Sequence, residues 1–371
     1  MKSAEKSRIR ELLSLANINL NGSNPYDIQV LDERFYSSIM ANGSLGLGES
    51  YMNGWWDVER LDQFLDKILH ANLEGTIKPW RFALSYLQYN LVNYQSRTGS
   101  RKVAQQHYDL STKLYESFLD PYNQYTCGYF KDTDDLNEAQ KKKLELICRK
   151  LQLSSQDRVL DIGCGWGGFA KYAAKHYECH VTGISISREQ IQYAKKYTEG
   201  LPVDIIEMDY RDIKGEYDKV LICGMIEHVG YKNYKAILEI VHGILSNNGL
   251  FLLHTIGGNE SVTHTDPWID KYIFPNSMLP SIKQLSNAFE GLFVMEDWQN
   301  LSAHYYKTLM AWYQNFITNW DTIKTDYDEK FFRMWKYYLL CCAGAFSARK
   351  NQLWQIVLSK NGVPGGYESV R

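Results

Sequence analysis

The apolar and polar positions divide the chain into two stretches of different character. From Arg158 onward, short apolar runs alternate with helical patterns, the runs falling at Arg158–Asp161, His180–Ile184, Val203–Glu207, Lys219–Cys223 and Gly249–Thr255. Two more strand-like runs, LFVMEDWQNL and LWQIVLSKNG, come near the end, with a long aromatic helical stretch, Tyr305–Tyr338, between them. Strands alternating with helices predict a parallel sheet covered by helices on both faces, an α/β fold. Ligands of such open sheets bind beyond the carboxyl ends of the strands, so the residues just after each strand carry the interest.

The stretch before Arg158 has a different pattern. Residues 1 to about 76 read as a small helical accessory unit. IRELLSLANI is a short amphipathic helix, NGSNP a turn, and YDIQVLDERFYSSIM mixes strand and helix signals. LGLGESYMNGWWDVERLDQFLDKIL reads as a glycine turn leading into a helix with Leu61, Phe64, Leu65 and Ile68 on one face. In Lys78–Val103 the residues Trp80, Leu84, Leu87, Leu91 and Tyr94 recur at helical spacing, flanked by Lys78, Arg81, Arg97, Arg101 and Lys102. That suits a helix lying on an anionic membrane, and equally a helix packed on a neighbouring domain. QSRTGSRK reads as a linker. QQHYDLSTKLYESFL follows as a helix and PYNQYTCGYF as an aromatic loop. DDLNEAQKKKLELICRKLQL then reads as a solvent-faced helix, capped by Asp135 or Asn137.

The sharpest signal is RVLDIGCGWGG, residues 158–168, followed by FAKYAAKHY. An apolar strand, a glycine turn and a helix start form a nucleotide-type site, with backbone N–H groups aimed at the ligand. Asp161 in D-x-G-C-G-x-G stands where it can hold the charged end of an amino-acid-bearing nucleoside. A tight structural turn is the plainer alternative. After the second strand, GISISREQ lacks the acidic residue that usually holds a ribose, and Ser185, Ser187 and Gln190 are the groups able to replace it. Asp209, Tyr210 and Arg211 follow the third strand, near where an adenine would lie. Taken singly, each of these is as readily a cap or a solvated side chain. GMIEHVG and HTIGG follow the fourth and fifth strands, bringing Glu227 and His254 toward one pocket. A carboxyl and an imidazole in an apolar cleft are candidates for acid–base work. His228 reads as a capping or supporting residue, and Cys127 as an ordinary buried cysteine.

Bulk properties narrow the class. A chain of 371 residues, 44% hydrophobic, has room for two domains, and a net charge of −2 provides no field for general nucleic-acid binding. Seven cysteines without a C-x-x-C pair argue against a disulfide framework or a zinc site, which suits a reducing cytoplasm. MKSAEKSRIRELL has no secretory pattern, and the longest apolar run, Tyr337–Phe346, is too short to span a bilayer. The 27 tyrosines and 10 tryptophans suit an apolar pocket, a membrane-interface surface or an aromatic core.

Taken together, LGLGESYMNGWWDVERLDQFL, QQHYDLSTKLYESFLDP, YTCGYF, VLDIGCGWGG, GISIS-REQ, IEHVG, HTIGG and YYKTLMAWYQNF resemble, in order, the blocks of the cyclopropane fatty acid synthases and the related mycolic acid cyclopropane synthases. The resemblance covers nearly the whole chain, and its N-terminal block is similar to the phospholipid-acting members. It implies an S-adenosylmethionine-dependent methyltransferase fold, a Rossmann-like seven-stranded sheet with a small helical N-terminal domain. The implied domains are 1–95 for lipid binding and dimerisation, 96–103 as linker and 104–371 as the catalytic part. The implied reaction transfers a methylene from S-adenosylmethionine to a cis double bond of a phospholipid acyl chain. A bound bicarbonate deprotonates the resulting carbocation, and no metal is involved. Bicarbonate would be held by Cys127, Glu227, His254, Ile256 and Tyr305. The cofactor would be held by Tyr125, Thr126, Asp161, Gly163, Cys164, Gly165, Ser185, Ile186, Ser187, Gln190, Asp209, Tyr210 and Arg211. Tyr210 and Arg211 replace a tryptophan–glutamate pair of the mycolic enzymes, and Thr126 replaces a serine. The resemblance further implies a homodimer in the cytoplasm that touches the inner face of the cell membrane peripherally. Amine N-methylation, methyl branching of acyl chains and non-catalytic binding of lipid or cofactor are the competing readings.

Overall fold

The structure is a computed structural model that describes residues 2–73 and 111–371. The amphipathic stretch Lys78–Val103 and the linker reading therefore lie outside the described residues. The described residues form two compact units. One takes in 111–263, 276–304 and 352–371; the other takes in 2–73, 264–275 and 305–351.

The first unit is built on a seven-stranded sheet. Its strands are β3 (Arg158–Ile162), β4 (His180–Ser185), β5 (Val203–Glu207), β6 (Tyr217–Cys223), β7 (Leu245–Gly258), β8 (Val294–Asn300) and β9 (Asn351–Ser359), the last starting at the unit boundary. They lie in the order β5-β4-β3-β6-β7-β9-β8. The five strands β5 to β7 pair in parallel, and β8 runs antiparallel to β9. All seven predicted strands are present, several of them longer than predicted.

Period-two alternation decides the two faces. Val159, Val181 and Leu221 enter a core with α5 (Leu136–Lys150), α6 (Gly168–Tyr177) and α7 (Arg188–Tyr197). Leu160, Ile162, Val220 and Ile222 enter a second core with α8 (Tyr234–Ile244) and α10 (Ile282–Phe289). The chain runs outward from β3 through β4 to β5, then returns to β6 on the other side of β3. That reversal opens a crevice at the carboxyl ends of β3 and β6.

Asp135 is the cap of α5, accepting from the Glu138 N–H at 2.8 Å. The expectation of a solvent-faced helix fails, because Leu136, Gln140, Lys143, Ile147 and Lys150 form a buried stripe along it. The short helix α4 (Thr112–Phe118) precedes the aromatic loop.

In the second unit, α1 (Lys2–Leu15), α2 (Arg34–Met52), α3 (Leu61–His70), α9 (Pro267–Tyr272), α12 (Glu329–Ser347) and most of α11 (Ser302–Ile323) pack together. β1 (Gln29–Val30) and β2 (Trp56–Asp57) form a short antiparallel ladder. Tyr305–Tyr338 is thus two helices rather than one, with Asp328 capping the second through the Phe331 N–H at 2.7 Å. LGLGES is likewise helical. The break falls earlier, at Gly43, and a Cβ at Gly48 would lie 2.3 Å from the Trp268 ring, so that glycine serves close packing. Much of the aromatic content is core here: Trp56, Trp268, Trp312 and Trp335 are fully buried. Arg333 ties the unit by donating to the Tyr51 and Trp56 carbonyls and to Asp57, with its guanidinium over the Tyr51 ring.

Candidate active site

β3 delivers Asp161 to the crevice, and the backbone then turns through Gly163, Gly165 and Gly167 at φ of 85°, 53° and 81°. Only glycine holds such angles at little cost. The turn closes on itself: the Gly163 and Cys164 N–H groups both donate to the Ile184 carbonyl, and Gly167 donates to Cys164. Those three donors are used within the turn and by β4. What the turn presents is bare backbone, since a Cβ at Gly165 would meet nothing within 4 Å. Beside it stands the Asp161 carboxyl, which burial raises to about 7 against the downward pull of Lys143.

Lys143 is a residue that sequence reasoning missed. It stands in the run KKK, 141–143, and reads there as solvated, yet it has no exposed surface. Its ammonium donates to the Gln124 side-chain carbonyl and to Thr126 Oγ1, the latter at 3.0 Å. Gln140 adds a bond to the Thr126 carbonyl at 2.8 Å. The spacing 136, 140, 143, 147 was the available signal, because it puts a lysine and a glutamine on an apolar stripe.

The aromatic loop is thereby pinned over the strand ends. Thr126 Oγ1 lies 3.8 Å from Cys223 Sγ, and a Cβ at Gly224 would lie 2.8 Å from the Thr126 methyl. Tyr125 packs on Tyr115 and Phe118, and Tyr115 in turn on Trp166 of the glycine turn. Cys127 is buried, with its thiol directed to the Gly128 carbonyl at 3.2 Å.

After β4, Ser187 caps α7 through Gln190, and Ser185 Oγ lies 3.3 Å from Gln190 Oε1 and accepts from the Ser187 N–H. Ile186 lies half-buried between the two serines. The Met208 N–H donates to the Ser185 carbonyl, which brings the Asp209–Arg211 segment alongside. Asp209 is buried and already paired with Arg211 at 2.9 Å, and the Arg211 guanidinium lies over the Tyr210 ring. At this position a paired carboxylate and a tyrosine face stand in for two free polar groups.

Glu227 lies on the short 3-10 helix Ile226–His228 after β6, and His254 near the end of β7. Cys223 pairs with His254 in the sheet, and the Gly224 N–H donates to the His254 carbonyl at 2.9 Å. The Ile256 N–H donates to Glu227 Oε1 at 2.8 Å. Met225 links this turn to the cofactor turn, since a Cβ at Gly163 would lie 2.8 Å from its side chain. The two predicted chemical groups therefore stand at neighbouring strand ends near the glycine turn. Burial raises the Glu227 carboxyl to about 7 and, reinforced by Lys143 and Lys150, drives the His254 imidazole well below its usual range. Both influences oppose the charged form of the ring. Glu227 Oε2 and His254 Nε2 are both buried without a hydrogen-bond partner among the described residues. His228 is half-buried beside Glu227.

Tyr305 lies in the other unit, in α11, buried against Phe346 and edge-on to Trp312. All seven cysteines are free, and among the described residues no cluster fit for a metal ion occurs. Among the described residues no helix is long and apolar enough to cross a membrane.

Comparison with known proteins gives the family. The family described as mycolic acid cyclopropane synthetase matches residues 95–356. A cyclopropane-fatty-acyl-phospholipid synthase of Escherichia coli (strain K12) is 49% identical over 97% of this chain and 94% of its own length. A probable fatty acid methyltransferase of Pseudomonas putida is 36% identical over 74% of this chain and 73% of its own. Among solved structures, mycolic acid cyclopropane synthase CmaA1 complexed with SAH and CTAB is 29% identical. It superposes with a TM-score of 0.66, covering 70% of this chain and 98% of its own. The chain belongs to the mycolic acid cyclopropane synthetase family.

Proposed function

We propose that this chain transfers a methylene from S-adenosylmethionine to the cis double bond of an unsaturated phospholipid acyl chain, closing a cyclopropane ring. The observation that carries the reading is the pair of buried atoms without partners, Glu227 Oε2 and His254 Nε2, beside a glycine turn. A carboxyl oxygen and an imidazole nitrogen left unpaired at neighbouring strand ends near that turn suit the seat of a polar ligand. A small oxyanion bearing its own proton fits this set, because it can donate to Glu227 while accepting from His254. Bicarbonate answers to that description and supplies, when bound, the base for one methyl proton. Phospholipid is favoured as the substrate because the 49% identity to the E. coli synthase extends through the N-terminal region, whereas CmaA1 covers only 70% of the chain.

The chain's own groups then divide the work. Asp161 binds the ammonium end of the donor, Ser185, Ser187 and Gln190 its ribose, and the Tyr210 face with Arg211 its adenine. Cys164 and Ile186 contribute backbone wall, and Gly163 and Gly165 allow close approach. Tyr125 and Thr126 flank the donor, Thr126 being held by Lys143 and Gln140. Glu227, His254 and the backbone at Cys127 and Ile256 hold the oxyanion. An alkene is a weak nucleophile, so this work is mostly holding the sulfonium methyl in line and keeping water from the cation. A homodimer touching the inner face of the cell membrane from the cytoplasm belongs to the same proposal.

The test is incubation with S-adenosylmethionine and vesicles of cis-unsaturated phospholipid, with acyl products read by mass spectrometry and NMR. A ring-containing product one methylene heavier is expected. A methyl-branched or olefinic product would overturn ring closure, and methylation of a small amine alone would overturn the lipid reading.

A further inference from the structure

Gln355, on β9, is fully buried, and its side-chain amide nitrogen lies 3.2 Å from His254 Nδ1. Neither residue has a surface from which water could replace that contact, since His254 is 1% exposed. Burial favours the neutral ring, in which one nitrogen carries the proton and the other must accept. An amide N–H donating to Nδ1 leaves the proton on Nε2, the atom without a partner in the Glu227 pocket. The opposite amide orientation would place the proton on Nδ1. Nε2 would then be an acceptor, as Glu227 Oε2 is, and an anion at that ring edge would find no donor from His254.

We propose that Gln355 is a positioning residue that fixes the His254 proton on Nε2, so that the imidazole is a permanent donor to the ligand of the Glu227 pocket. The proposal rests on the reading of that pocket as an oxyanion site. It gives a buried glutamine in the middle of a strand a chemical role. The ring is oriented and its tautomer set from behind, as a hydrogen bond to one ring nitrogen does elsewhere. It also accounts for a histidine whose surroundings oppose protonation, because a neutral donor needs no proton from solvent and keeps its role as pH changes.

The test is long-range proton–nitrogen NMR of the full chain with labelled histidine, without bicarbonate, with His254 assigned from the spectrum of His254→Asn. The expected wild-type pattern has a protonated Nε2 and an unprotonated Nδ1. Gln355→Glu, read well above pH 7 so that its buried carboxyl is ionised and can only accept, should reverse the pattern, and Gln355→Met should populate both tautomers. Turnover should fall about ten- to a hundredfold in both, on the scale of one buried hydrogen bond, with S-adenosylmethionine affinity unchanged. A wild-type ring protonated on Nδ1, or a Met variant that keeps the pure Nε2–H form, would overturn the proposal. Addition of bicarbonate should then shift the Nε2 resonance. A predicted tautomer with no such shift would instead sink the oxyanion reading and leave the role of Gln355 standing.

Discussion

The cofactor turn and the Glu227–His254 pocket lie side by side yet are built on opposite principles. The turn comes from one run of sequence, and its Gly163, Cys164 and Gly167 N–H groups are consumed internally. The pocket is gathered from the ends of β6 and β7, with Gln355 of β9 behind it, and it leaves Glu227 Oε2 and His254 Nε2 unpaired in the interior. The first region offers shape, and the second holds polar atoms in a state whose cost only a ligand relieves. Binding and chemistry should therefore separate on mutation.

The largest effect should come from Glu227→Gln, which keeps the shape and removes the charge. Turnover should fall by about two orders of magnitude or more, with the dissociation constant for S-adenosylmethionine unchanged by calorimetry. Matching losses in both would dissolve the distinction between the two regions. Asp161→Asn should do the reverse, weakening S-adenosylmethionine about ten- to a hundredfold, the scale of one charge-assisted hydrogen bond. Turnover at saturating cofactor should change less.

The third prediction concerns stability. Glu227 and Asp161 hold their protons up to about pH 7 in the folded chain, against ordinary values of 4.5 and 3.8. Between those limits the folded state binds more protons than the unfolded one, so stability falls as pH rises through this window and levels off above it. Each carboxyl accounts for on the order of 3 kcal/mol of that fall. Urea midpoints of wild type and Glu227→Gln should therefore diverge from about pH 5 to about pH 8, with the variant gaining. Parallel curves would mean that Glu227 titrates normally. S-adenosylmethionine should recover the share due to Asp161 but leave that of Glu227. The smallest effect should be that of Lys143→Met, which frees Thr126 and Gln124 and removes the cation near Asp161. A several-fold loss of S-adenosylmethionine affinity near neutral pH, shrinking as pH is raised, is the expected signature.

Regions whose physics is local were legible in the sequence. Strand periodicity located the sheet, the glycine turn identified itself, and IEH and HTIGG marked the two strand ends that meet. Polar residues placed by distant partners were not legible. Lys143 looks like its solvated neighbours Lys141 and Lys142 until the sheet covers it, and Gln355 looks like any polar residue of a strand. The second unit was obscured by its assembly, since 264–275 and 305–351 complete a core begun by the first 73 residues. LGLGES reads as a turn by composition because the reason for Gly48, the Trp268 ring, lies more than two hundred residues away in sequence.

If the pocket holding Glu227 and His254 takes a protonated oxyanion that serves as the base, turnover must depend on that ion. The decisive measurement is turnover in carbon-dioxide-depleted buffer at fixed pH, with bicarbonate added back to wild type and to Glu227→Gln. Wild type should show a low basal rate that rises saturably with bicarbonate, while the variant stays flat. A wild-type rate indifferent to bicarbonate would contradict the oxyanion role of the pocket.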